Sequence, residues 1–226
     1  MAAGDAGGHG AAVDGKLRIS EIFHSIQGES SRVGLPTVFV RLTGCPLRCV
    51  WCDTEYAFSG GESFALSEIL ARVAAFDCGT VCVTGGEPLA QKACLSLLTA
   101  LCDAGFSVSL ETSGALDIAA VDPRVSRIMD LKAPGSGEDA KNHWPNCAQL
   151  TQHDELKLVL ASRADYDWAV AACRQHRLFE RCPVLFSPVQ GQLDPALLAQ
   201  WVLEDRLPVR FQLQLHKVLW GNSKGR

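Results

Sequence analysis

The chain has 226 residues, 47 % of them hydrophobic, and 21 basic against 25 acidic side chains give a net charge of −4. That length suits one domain of ordinary core size, and with no Lys/Arg run a nucleic-acid surface gets no support. No stretch of eighteen apolar residues offers a membrane span, and the start lacks the basic and apolar regions of a signal peptide. The ten cysteines are therefore expected in a reducing cytoplasm, as metal ligands or catalysts in preference to disulfides.

Residues 1–15 are rich in Gly and Ala and are expected to form a disordered tail, leaving 16–226 as a single domain. Along that domain short β-branched or apolar runs predict strands at Thr37–Leu42, Val81–Thr84, Ser107–Glu111, Arg127–Leu131, Glu155–Leu160, Val184–Ser187 and Phe211–Leu215. Stretches of helical period lie between several of them, at Leu66–Phe76, Leu89–Ala104, Tyr166–His176 and Pro195–Val202. Asp194 before Pro195 is a good N-cap with Pro at the first helical position. The alternation predicts an α/β fold with a parallel sheet, either a partial or complete β/α barrel or an open doubly wound sheet. In each case reactive loops follow the C-terminal strand ends. The unusual residues sit there: Gly44-Cys45, Thr84-Gly85-Gly86-Glu87-Pro88, Glu111-Thr112-Ser113-Gly114, Lys132-Ala133-Pro134, Ser187-Pro188-Val189-Gln190 and His216-Lys217.

The strongest local signal is Cys45-Pro46-Leu47-Arg48-Cys49-Val50-Trp51-Cys52, a C-x3-C-x2-C run. A structural disulfide conflicts with a reducing cell. Three buried free thiols would be an odd use of a loop flanked by Pro and Gly. Structural zinc wants four ligands, usually in paired C-x2-C knuckles, and no second knuckle occurs. A four-iron cluster held by three thiolates leaves one iron open to a further ligand. Zinc and iron–sulfur both remain open on spacing alone. Of the other cysteines, Cys82, Cys94 and Cys102 read as small buried hydrophobes, and Cys78 and Cys147 are remote candidates for a second cluster.

The cysteine loop followed by Thr84-Gly85-Gly86-Glu87-Pro88 at the next strand end resembles the radical S-adenosylmethionine (SAM) enzymes. More of the chain, from about Leu17 onward, is similar to the 7-carboxy-7-deazaguanine synthase family. The matching residues are Ser25-Ile26-Gln27-Gly28-Glu29, Phe39-Val40-Arg41, Gly44-Cys45, Trp51-Cys52-Asp53-Thr54, the Gly-Gly-Glu-Pro turn, Leu110-Glu111-Thr112-Ser113-Gly114 and Leu215-His216-Lys217. The resemblance implies a shortened β/α barrel of TIM type, a [4Fe-4S] cluster, SAM and Mg²⁺. It implies conversion of 6-carboxy-5,6,7,8-tetrahydropterin to 7-carboxy-7-deazaguanine with loss of ammonia, through a 5′-deoxyadenosyl radical. It also implies an electron donor of flavodoxin or ferredoxin type and a homodimer. A radical enzyme that activates a protein partner, and a zinc-stabilised binding module, are the competing readings.

The same resemblance assigns residues. Cys45, Cys49 and Cys52 would hold the cluster and Thr54 the Mg²⁺. Ile26, Gln27, Gly28, Glu29, Arg41, Thr84, Glu111 and His216 would meet the pterin, with Arg226 as a further candidate. Trp51, Cys52, Asp53, Gly86, Leu131, Lys132, Ala133, Ser187, Pro188, Val189 and Gln190 would wrap SAM. Taken without the family, the residues have plainer readings: Thr54 a cap, Gln27-Gly28-Glu29 an exposed turn, Arg41 half of a structural ion pair, His216 a core residue. Three departures stand out: Asp130-Leu131-Lys132 where many relatives have Ser-Pro-Lys, Ser30 where Gly is common, and a long stretch after Lys217.

Overall fold

The computed structural model describes residues 15–221 and 223–226; the tail expected over 1–15 lies, but for Gly15, outside them. Among the described residues nine strands form one sheet: β1 Lys16–Ile26, β2 Pro36–Leu42, β3 Glu62–Ala65, β4 Thr80–Gly85, β5 Ser107–Thr112, β6 Ser126–Asp130, β7 Glu155–Leu160, β8 Val184–Pro188 and β9 Arg210–Phe211. Five helices accompany them: α1 Leu66–Ala74, α2 Cys94–Asp103, α3 Arg163–Gln175, α4 Pro195–Glu204 and α5 Leu215–Trp220. No helix among the described residues is long and apolar enough to cross a membrane.

The sheet order is β3-β1-β2-β4-β5-β6-β7-β8-β9. From β2 to β9 every neighbour is parallel and follows in chain order, while β1 runs antiparallel to both β2 and β3. A doubly wound sheet reverses its order at a switch point. The parallel strands from β2 onward never do, so they wind in one direction as a β/α barrel does, and the sheet stays open because β3 and β9 are not paired.

The period of two along each strand separates packing from chemistry. Val38, Val40 and Leu42 of β2, Val81 and Val83 of β4, Leu110 of β5, Met129 of β6, Leu156, Leu158 and Leu160 of β7 and Phe186 of β8 join the helix layer in one apolar core. The helices contribute Leu97, Leu98 and Leu101, Tyr166 and Ala169, and Leu198. The alternate residues Phe39, Arg41, Thr84, Glu111, Ile128, Asp130, Lys157 and Val159 line a cavity on the other face.

Local signals fixed most boundaries. Asp194 Oδ1 accepts from Ala196 N at 2.9 Å, the cap expected at α4. Ser162 Oγ accepts from Asp165 N at 3.2 Å, so α3 starts at Arg163, ahead of Tyr166. The helix expected over Leu89–Ala104 is a short turn at Pro88–Ala90 followed by α2. The strand expected over Phe211–Leu215 shrinks to two residues. Gln212 leaves the sheet to grip Ser30, accepting from its N at 2.7 Å and donating to its O at 2.8 Å, and α5 begins at Leu215.

Candidate active site

The cysteine loop leaves β2 through Gly44 and is tied down on two sides. Glu87 N donates to Gly44 O at 2.7 Å, and a Cβ on Gly86 would stand 2.4 Å from that same oxygen and 2.7 Å from Cys45 Cβ. Only glycine allows this approach. On the other side Val50 N donates to Ser136 O at 3.0 Å and Lys141 Nζ to Pro46 O at 3.0 Å. Glu87 itself is fully buried. It accepts from Leu89 N at 3.0 Å, Thr112 Oγ1 at 2.9 Å and Ser113 N at 2.7 Å, so it braces the end of β5 and does not face the cavity.

Cys45, Cys49 and Cys52 are free, half-buried, and line the same cavity of about 250 Å³. Burial pushes the thiols of Cys45 and Cys49 above the ordinary range. Among the described residues no three His, Cys, Asp or Glu side chains converge as a single ion requires. Structural zinc takes four ligands, and three thiols fall one short; three suit a cluster with one iron left to a further ligand. One buried acceptor supports a ligand beside them. Asp130 lines the cavity, and its Oδ1 has no hydrogen-bond partner among the described residues. The donor set therefore fits an iron–sulfur cluster with SAM. Cys78 donates to Pro36 O at 3.4 Å, at the opposite end of the strands, and Cys147 lies buried in the apolar core.

Across the cavity the end of β1 and the turn after it present Ile26, Gln27, Gly28 and Glu29. Gln27 and Glu29 are buried, not exposed as a plain turn would be. Gln27 Nε2 donates to Glu111 Oε1 at 3.3 Å, Thr84 Oγ1 to Glu111 Oε2 at 2.8 Å, and Gln214 Nε2 to Glu29 Oε1 at 2.6 Å. Lys157 pairs with Glu29 Oε2. Burial opposes the charge of Glu29, yet Lys157 and His216 hold its pKa down at about 2. Leu215 N donates to Gly28 O at 2.9 Å, and a Cβ on Gly28 would strike His216 Nδ1 at 2.3 Å, so His216 rests directly on that glycine.

Arg41 is half of an ion pair, its plainer reading, and also lines the cavity. Its Nε donates to Glu21 Oε1 at 2.7 Å, an oxygen that also accepts from Tyr56 OH at 2.8 Å. The rest of the guanidinium lines the cavity, bounded by Phe23 and Tyr56. Thr54 heads the short turn Glu55–Ala57 but makes no side-chain cap bond, and its hydroxyl lies 3.9 Å from Cys52 Sγ. The cap reading fails, and Thr54 is among the residues that line the cavity. Asp53 pairs with Lys217 at 2.9 Å; burial would raise its pKa, but Lys217 holds it below the usual carboxylate range.

Of the expected SAM residues, Trp51, Cys52, Asp53, Gly86, Lys132 and Val189 line the cavity. Leu131 and Ala133 do not. They alternate with Asp130 and Lys132 and point into the apolar core. Pro188 is buried in register with the core residue Leu160, Ser187 is enclosed in the wall, and Gln190 is exposed. Arg226 does line the cavity, beside Ser223, Lys224 and Gly225. The sequence reading missed Glu21, Phe23, Tyr56, Asp130, Lys157 and Gln214 as parts of the site. Lys157 carried a usable signal, a lone cation between leucines on a strand, the same pattern that marks Arg41.

Residues 39–133 match the model of the Radical SAM superfamily. The chain is 50 % identical to the 7-carboxy-7-deazaguanine synthase of Chlorobaculum tepidum, over 93 % of this chain and 97 % of that one. It is 44 % identical to the enzyme of the same name from Koribacter versatilis, over 90 % and 97 %. The crystal structure of QueE from Escherichia coli shares the fold, with a TM-score of 0.71 at 22 % identity over 89 % of this chain and 95 % of that one.

Proposed function

The chain belongs to the 7-carboxy-7-deazaguanine synthases of the radical SAM superfamily, and on that premise we propose how its residues divide the reaction. The enzyme is a lyase that converts 6-carboxy-5,6,7,8-tetrahydropterin to 7-carboxy-7-deazaguanine with loss of ammonia, and it uses a [4Fe-4S] cluster, SAM and Mg²⁺. When bound, cluster and SAM supply one-electron cleavage of a C–S bond and a carbon radical able to abstract hydrogen.

Cys45, Cys49 and Cys52 would hold the cluster, three thiolates for four irons, so that SAM would take the remaining position. Asp130, with Oδ1 free and Oδ2 paired to Lys132 at 3.1 Å, is an acceptor for SAM's amino or ribose hydrogens. Trp51, Gly86 and Val189 shape that side. Glu29, Gln27 and Glu111 face the donor and acceptor edge of the heterocycle. Arg41, steadied by Glu21, offers its remaining N–H groups to the substrate carboxylate. Thr54 would give its hydroxyl to Mg²⁺, an ion that needs few protein ligands. A flavodoxin or ferredoxin type donor, a homodimer and a cytoplasmic setting complete the proposal.

One observation carries this division: the three thiols and the Gln27–Glu29–Glu111 network open on one cavity. A protein-activating enzyme would have no use for that buried polar network. Anaerobic incubation with SAM, reductant, Mg²⁺ and carboxy-tetrahydropterin, followed by mass detection, tests it. The deazaguanine carboxylate and released ammonia are the expected products, and SAM cleavage without either would refute the assignment of the pterin side.

A further inference from the structure

The cavity holds a cation that the division above leaves unused. Lys157 projects from β7 between Leu156 and Leu158, which face the helix layer. Its side chain is 12 % exposed and meets two carboxylates, Glu29 Oε2 and, at 3.3 Å, Asp130 Oδ2. Glu29 lies on the turn after β1 and Asp130 at the end of β6, so one ammonium spans the pterin side and the SAM side of the cavity.

A carboxylate as enclosed as Glu29 stays ionised only beside a compensating charge. Lys157 faces it from β7 and His216 from α5, and Asp53 of the cysteine loop bears on it with the opposite effect. Glu111 and Asp130 act on it through the shared Lys157. Gln214 adds a neutral N–H on Oε1. Each oxygen of Glu29 thus has one partner and spare lone pairs.

We infer that Lys157 is a positioning residue for substrate recognition: it keeps Glu29 ionised and aimed, so that the free lone pairs accept the ring N–H and exocyclic amino hydrogens of a guanine-like heterocycle. The inference rests on the pterin side being the one described under Proposed function. A protonated Glu29 would set an O–H donor against those same donors, and the match would be lost. Burial alone would lower the affinity of Lys157 for its proton, yet Glu29 and Asp130 raise its pKa well above the ordinary range, so the pair stays charged at all working pH values.

Calorimetric binding of 7-carboxy-7-deazaguanine to the full chain, at several pH values between 5 and 8, tests this without turnover. In Lys157→Met, Glu29 loses its partner and its pKa rises. Affinity relative to wild type then falls by about tenfold for each pH unit below that new value. Lys157→Arg keeps the charge, and its ratio to wild type stays flat with pH. A folded Lys157→Met whose ratio is also flat overturns the inference. Should Lys157→Met fail to fold by circular dichroism, the double variant Glu29→Gln/Lys157→Met removes both charges. It is expected to fold and to bind as Glu29→Gln alone does; a further loss on adding Lys157→Met would show that Lys157 acts independently of Glu29 and overturn the inference. If wild type itself does not bind the probe, the pterin-side reading falls, and this inference with it.

Discussion

Thr54 shows how a single hydroxyl can be told apart from its neighbours. It stands where a capping threonine would stand, yet its side chain caps nothing and opens beside Cys52. Thr54→Ala is therefore expected to keep its iron content and its SAM cleavage but to need at least about tenfold more Mg²⁺ for half-maximal turnover, a titration that leaves a mere turn residue unchanged. Cys49→Ala is expected to lose the iron and with it all 5′-deoxyadenosine formation, measured after anaerobic reconstitution. The three cysteines were legible as a group because the spacing and the flanking Gly and Pro lie within ten residues. Lys157, Asp130 and Gln214 were not, because their partners are fixed by the fold. Glu29 meets Lys157 across 128 residues of sequence and Gln214 across 185.

Among the elements, alternation along the strands explains both what the sequence revealed and what it hid. The apolar half of each parallel strand gave its position, since these strands carry a near-continuous hydrophobic run. β1 went unseen because Arg18, Ser20, Glu21, His24 and Ser25 interrupt it, and most of its residues are only half-buried. β3 is a four-residue edge with two exposed positions. The same alternation accounts for Leu131 and Ala133, which the resemblance put on SAM and the pleat turns into the core. At the end of β4 the limiting feature is backbone proximity. Gly86→Ala inserts a Cβ 2.4 Å from Gly44 O, so the cysteine loop must shift. Iron retention is expected to collapse while far-UV circular dichroism stays native, because the contact touches the loop and not the core.

For the molecule as a whole, the buried charges of the cavity tie stability to pH. Glu29 has a folded pKa of about 2 against an ordinary value of 4.5. Its contribution is complete above about pH 4.5 and disappears as the pH falls toward 2. Denaturant midpoints measured from pH 6 to pH 3 are expected to fall, and Glu29→Gln is expected to flatten that decline. Residues 223–226 line the cavity, with Lys224 Nζ 4.4 Å from the centre of the Tyr56 ring. Deleting 223–226 is expected to leave iron content and substrate-free SAM cleavage intact while raising the KM for the pterin severalfold.

The unpaired edges of the sheet have one more consequence. β3 and β9 share no ladder. The turn after β1 is instead fastened to the segment after β9 by Ser30 with Gln212 and by Gly28 with Leu215. The girth of the mouth is thus set by a clasp of a few bonds and not by strand number and shear, as in a closed barrel. Lengthening or loosening that clasp offers a way to admit bulkier heterocycles without disturbing the metal-binding end.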